Sequence, residues 1–191
     1  MKEIIKNGVK LFGKIIVINI LSFILVMSIA AIAVGMLKDK ANPDTYGVIL
    51  QILTLTLLAG LVYPTFWDMG YKDRNMALTG NAQEDILKGF KIGLVSIIPS
   101  ILSIPLFALI KAFPSALYKL INSSYYYFFD ILTRGTDKFC DISIWKFFVM
   151  AIIFLLVPAV SFLGYYLGFK DFSINSPTIV LGIKLYTNPM M

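Results

Sequence analysis

Chemistry near neutral pH is carried by few side-chain types, and this chain is poor in them. Histidine is absent and cysteine occurs once, as Cys140. Without histidine, an HExxH zinc site or a Ser-His-Asp triad lacks its ligand or its base. A lone cysteine can close neither an intramolecular disulfide nor a CxxC redox pair. Strings of the GxxxxGK[ST] or GxSxG type do not occur. Asp68, Asp73, Glu84 and Asp85 offer the oxygen ligands a divalent cation needs. Lys72 and Arg74 stand among them, so surface ion pairing is the simpler use, and no metal is assigned. The expectation is a protein without catalytic constellation, cofactor or metal centre. The neutral polar residues Asn19, Gln51, Thr54, Ser96 and Ser100 lie in strongly apolar surroundings. They suit either hydrogen bonding between helices or the lining of a path for a neutral or anionic solute.

The elements that must position these residues follow from how charge is distributed. Of 191 residues, 58% are hydrophobic and 15% charged, a balance outside that of soluble domains. Four runs carry no charge at all: 15–37, 47–67, 92–110 and 147–169. All 17 basic and 11 acidic residues fall outside them, which is the segregation imposed by lipid on one set and water on the other. The runs hold 19 to 23 residues, within the range of about 17 to 25 for a helix that crosses the hydrocarbon core. The expected fold is an all-α integral membrane protein with four transmembrane helices in a single domain. No carboxylate falls within a span, so the proton exchange of small four-span antiporters has no carrier.

Two further segments read as amphipathic helices lying on the bilayer. Over 2–13, Ile4, Ile5, Leu11 and Phe12 share a face while Lys2, Lys6, Lys10 and Lys14 recur at intervals of four. Over 115–134, Leu117, Leu120, Ile121, Tyr125, Phe128, Ile131 and Leu132 share a face, Tyr125 to Phe129 suit the headgroup zone, and Gly135 is a plausible stop. The first span, with Ala31-Ile32-Ala33 near its end, is longer than a cleavable signal sequence and is read as a true span. Pro99 and Pro105 predict a kinked third span. Gly93, Ser96, Ser100 and Ser103 lie on one face of it, suited to close helix packing, and Ser161, Gly164 and Gly168 do the same for the fourth. The segment 181–186 reads equally as a strand or a surface segment.

Net charge is +6, and only two of the basic residues are arginine. The lysines flank apolar runs rather than forming a stripe, which points to anionic lipid and not to nucleic acid. Abundant lysine and isoleucine fit an AT-rich bacterial genome. Four lysines precede the first span against two in the loop after it, placing both termini in the cytoplasm of a cell-membrane protein. Counted over all loops, the inner side holds ten basic residues and the outer side seven. The second span exits through Gly70-Tyr71-Lys72-Asp73 and the fourth through Gly168-Phe169-Lys170-Asp171. That echo suggests two helical hairpins related by a parallel repeat about the membrane normal. It also brings Tyr71, Lys72, Asp73, Arg74, Asn75, Lys170 and Asp171 to one membrane face as a candidate interaction patch. The expected function is association: a subunit, regulator, immunity or assembly factor with a protein partner in the membrane or a second copy of itself. The alternative is a transporter or channel component.

Overall fold

The computed structural model describes residues 1–37, 43–79 and 85–170, with side chains from 30 to 37 and at 43 left aside. Among the described residues seven α-helices run in order: α1 (Lys2–Leu37), α2 (Pro43–Leu78), α3 (Lys88–Ala108), α4 (Ser115–Ile121), α5 (Tyr126–Thr133), α6 (Ile144–Phe154) and α7 (Leu156–Phe169). Short 3₁₀ turns occupy Ser123–Tyr125 and Phe139–Asp141, and no strand occurs among the described residues. Four helical stretches are long and apolar enough to cross a membrane: Lys2–Ile29, Asp44–Leu78, Lys88–Ala108 and Ile144–Phe169. The described residues therefore form an all-helical fold, that of a membrane protein.

The charge-free runs locate the four long helices but understate two of them. α1 starts at Lys2 and continues without a break through the first span, so 2–13 is not a separate surface helix. The reason lies in its buried stripe: Gly8, Leu11, Ile15, Ile18, Ser22 and Val26 recur at three- and four-residue spacing, and the stripe passes straight through the lysine-rich turns. Gly8 lets α1 close onto Val95 of α3. Likewise α2 runs to Leu78, three turns past Trp67. A change in charge marks where water begins, whereas a helix ends only where its packing and backbone partners do.

The third helix is unbroken from Lys88 to Ala108 with Pro99 and Pro105 inside it. The fourth span is interrupted where α6 gives way to α7 at Leu155. Pro158 has no N–H to bond the carbonyl of Phe154, four residues back, so the ladder is interrupted there.

Around the bundle the neighbours are α1 with α2, α2 with α7, α7 with α3 and α3 with α1. Glycine sets the closest of these approaches. A Cβ on Gly164 would sit 2.7 Å from the Tyr63 carbonyl oxygen, and one on Gly168 would overlap the Trp67 carbonyl. One on Gly93 would sit 2.6 Å from Cα of Pro158. These small residues bring α7 onto α2 and α3. A repeat about the membrane normal would have to carry α1 onto α3 and α2 onto α7, setting each pair diagonally across the ring. They are adjacent instead, so the helices lack the rotational arrangement that the Gly-aromatic-Lys-Asp echo suggested.

The segment 115–134 is not a single surface helix either. It folds as α4, the turn Ser123–Tyr125 and α5, wedged between α1 and α2. Tyr118, Tyr125 and Phe129 are buried, while Leu117, Ile121 and Ile131 from the expected apolar face are exposed. With Phe139 and Phe154 the buried rings form an aromatic core: Tyr118 to Phe139 is 4.3 Å between centroids and Tyr125 to Phe154 is 5.4 Å edge to face. Tyr125 and Phe129 therefore serve the protein interior, not the headgroup zone.

Candidate functional site

Two polar centres hold the long helices in register. The first surrounds Ser124. Asn122-Ser123-Ser124 interrupts the helical segment because such side chains compete for nearby backbone groups; Asn122 Nδ2 donates to the Tyr118 carbonyl at 3.2 Å. The resulting turn exposes backbone that a membrane interior cannot solvate. The spans supply the partners. Ser124 N–H donates to Asn19 Oδ1 at 3.3 Å, and its hydroxyl meets that of Ser22 at 3.2 Å. Its carbonyl accepts from Gln51 Nε2 at 2.8 Å and from Thr54 Oγ1 at 3.2 Å. Gln51 Oε1 in turn accepts the N–H groups of Tyr127 at 3.1 Å and Phe128 at 3.3 Å. Those are first-turn donors of α5, which an α-helix leaves without internal acceptors. A side chain of α2 thus caps α5 from outside the helix. Asn19, Gln51 and Thr54, legible in sequence as polar residues within spans, have their partner in Ser124, which the reading as a surface helix missed. The signal was the Asn-Ser-Ser tripeptide inside an otherwise apolar pattern.

At its other end the same wedge is fixed by ion pairs. Arg134 Nη2 lies 2.7 Å from Asp44 Oδ1, and Lys119 Nζ lies 2.7 Å from Asp130 Oδ1. The hydrogen bond and charge of Asp44 hold the Arg134 guanidinium above its ordinary value.

The second centre lies where α1 and α3 begin and α2 ends. Lys88 Nζ sits 2.8 Å from Asp73 Oδ2 and 2.9 Å from Glu3 Oε1. Tyr165 donates its hydroxyl to the same Asp73 oxygen at 2.8 Å. Lys88 and Asp73 are only 15% and 13% exposed, against 64% for Glu3, so the Lys88–Asp73 pair is the sheltered one. Lys91 pairs with Asp85 at 2.8 Å beside it. This is one knot through all four spans.

The knot divides the candidate patch. Asp73 points into the bundle, toward Lys88 and Tyr165. Tyr71, Lys72 and Asn75 face outward on the same turns, with Tyr71 stacked on Trp67 at 5.6 Å, and Arg74 is half-buried. Lys170 caps the end of α7, whose Phe169 backbone approaches Gly70, so it leaves the bundle beside that part of α2. Asp171 lies outside the described residues, as does the segment 181–186. The small-residue faces also divide. Gly93, Ser96, Ser161, Gly164 and Gly168 are buried at helix contacts. Ser100 and Ser103 are half-buried and line a groove of about 570 Å³ between α1, α3 and α4. Ser96 and Ser103 turn their hydroxyls back to the carbonyls of Gly93 at 2.7 Å and Ser100 at 2.6 Å. Among the described residues no three acidic or cysteine side chains converge in a way that would hold a metal ion.

No family model, curated protein or solved structure matches the chain.

Proposed function

We propose that the protein works by association within the membrane, as a subunit, regulator, immunity or assembly factor of a larger membrane complex or of an oligomer of itself. The observation that carries this reading is the use made of the intramembrane polar side chains. Of the polar residues suited to line a solute path, Asn19, Gln51 and Thr54 all bond the turn at Ser124, and Ser96 turns its hydroxyl to the Gly93 carbonyl. A side chain that satisfies buried backbone cannot leave it for a passing solute without stranding that backbone. The reading places the protein in the cell membrane with both termini in the cytoplasm. There the lysines of α1, with Lys72 and Lys170, meet anionic headgroups. The outward-facing Tyr71, Lys72 and Asn75, together with Lys170, form the surface at that end for a partner.

The test pairs two measurements on the full chain. Crosslinking in native membranes followed by purification should return a stoichiometric membrane partner or a second copy. Uptake of neutral and anionic solutes into liposomes containing the protein alone should stay at background. A purely monomeric chain that moves a solute would overturn the proposal in favour of a transporter or channel component.

A further inference from the structure

Along α3 the packing changes character at Pro99. Before it, α3 touches both neighbours: a Cβ on Gly8 of α1 would overlap the Val95 side chain, and one on Gly93 would sit 2.6 Å from Cα of Pro158 in α7. After it, Ser100, Ser103 and Phe107 line the groove of about 570 Å³, with Phe12, Asn19 and Phe23 of α1 also on its walls. Pro99 has no N–H for the Val95 carbonyl and Pro105 none for the Ile101 carbonyl, so this half of α3 lacks two of the bonds that stiffen a helix. In the fourth span Pro158 leaves the Phe154 carbonyl in the same condition, beside the junction of α6 and α7. Gly93 holds the two weakened helices together close to where each is weak.

The prolines divide the molecule into two packed units. On one side α7 is fixed to α2 through Gly164 and Gly168, α3 to α7 through Gly93, and Lys88 to Asp73. On the other side aromatic rings join the remaining elements. Phe107 of α3 stacks on Phe113 at 4.3 Å and meets Tyr118 of α4 at 6.0 Å, while Phe129 of α5 meets Phe154 of α6 at 5.6 Å. We infer that residues 100–108 of α3, together with α4, α5 and α6, form one body that swings about Pro99 and Pro158, with the bonds at Ser124 as its third support, so that the groove closes and reopens as this half of α3 moves onto α1. The small-residue face shows what closure would complete. Gly93 and Ser96 are buried, whereas Ser100 and Ser103 on the same face line open space. Small side chains let membrane helices approach closely, so on α3 no bulk stands in the way. The hinge is independent of the association proposed above, because it rests on contacts within one chain.

The test measures spin-label distances on the full chain in phosphatidylethanolamine–phosphatidylglycerol bilayers, in a Cys140→Ser background. Labels at Ile20→Cys and Leu106→Cys, both exposed, report across the groove. Val9→Cys with Leu94→Cys reports within the fixed unit, and Leu106→Cys with Ile152→Cys within the moving one; these positions are exposed as well. The groove pair should show two separations, the longer matching the structure, while each reference pair shows one. Ser100→Leu should prop the groove open and remove the shorter separation. Pro99→Ala restores a helix hydrogen bond and should reduce the shorter population several-fold. A groove pair as narrow as the reference pairs would overturn the inference, and so would a Ser100→Leu protein that keeps the shorter separation. Two separations in the Leu106–Ile152 pair would show that α3 and α6 do not move as one body, which also overturns it. The three pairs in the parent sequence decide the matter even if a variant fails to fold.

Discussion

Gln51 bonds three groups of the wedge at once, the Ser124 carbonyl and the N–H groups of Tyr127 and Phe128. Leucine is close in size but has nothing to offer them. Each stranded, buried backbone group costs about 1 to 3 kcal/mol, so Gln51→Leu should destabilise the fold by about 2 to 4 kcal/mol despite the gain in hydrophobicity. Denaturation in mixed micelles measures this, and an unchanged midpoint would mean that the wedge does not depend on α2. Asp73 makes a second case. It accepts from both Lys88 and Tyr165, so Asp73→Ala and Tyr165→Phe remove overlapping interactions. Their effects on stability should fall short of additive by about 0.5 to 3 kcal/mol in a double-mutant cycle, and strict additivity would break the proposed knot into independent contacts. Both residues were visible in the sequence as polar groups in or beside a span. Their partners were not, because Ser124 lies about 70 residues from Gln51 and Tyr165 about 90 from Asp73, and no local pattern encodes such pairings.

Small residues on helix faces were also legible, yet identical-looking stripes have different uses. Gly168 lies where a Cβ would overlap the Trp67 carbonyl, a backbone atom that cannot turn aside. Gly168→Ala should therefore force α7 from α2 and cost about 1 to 3 kcal/mol. Ser100 belongs to the stripe that predicts tight packing on α3, and on that reading Ser100→Leu would carry the same penalty. In the structure it lines the groove. Leucine there projects into space and improves helix propensity, so stability should change by less than about 0.5 kcal/mol. Thermal unfolding of the two variants in one detergent separates them, and equal destabilisation would return Ser100 to a packed interface. Sequence periodicity assigns residues to a helix face, but which neighbour that face meets depends on the angle at which the helices diverge. For α1 and α3 the close approach lies at Gly8, outside the predicted span.

At the scale of the whole molecule, the four spans were legible from charge alone because lipid imposes that segregation on every turn. Their order around the bundle was not, since many orders satisfy the same hydropathy. Two ends are nonetheless defined by contact. Glu3, Asp73, Lys88 and Tyr165 meet at one, while Asp44, Arg134 and Cys140 belong to the segments that join the spans at the other. Four lysines lie in the first turns of α1, ahead of its charge-free run, so the first of these ends is proposed to be cytoplasmic and Cys140 to face outside. The lone thiol makes this testable, provided its chemistry is respected. Burial, and next the hydrogen bond and charge of Asp141, push the Cys140 thiol above its ordinary value. The thiolate is the reactive form, so labelling by a membrane-impermeant maleimide should be slow at neutral pH and accelerate as pH rises through the alkaline range. Asp141→Asn removes one source of the upward shift and should speed labelling at fixed pH. Intact cells should label under these conditions to the same extent as lysed cells, whereas a cysteine placed at Lys72 in a Cys140→Ser background should label only after lysis. Labelling of Cys140 confined to lysed cells, with Lys72→Cys reactive from outside, would invert the molecule in the membrane and move the proposed partner surface to the opposite side.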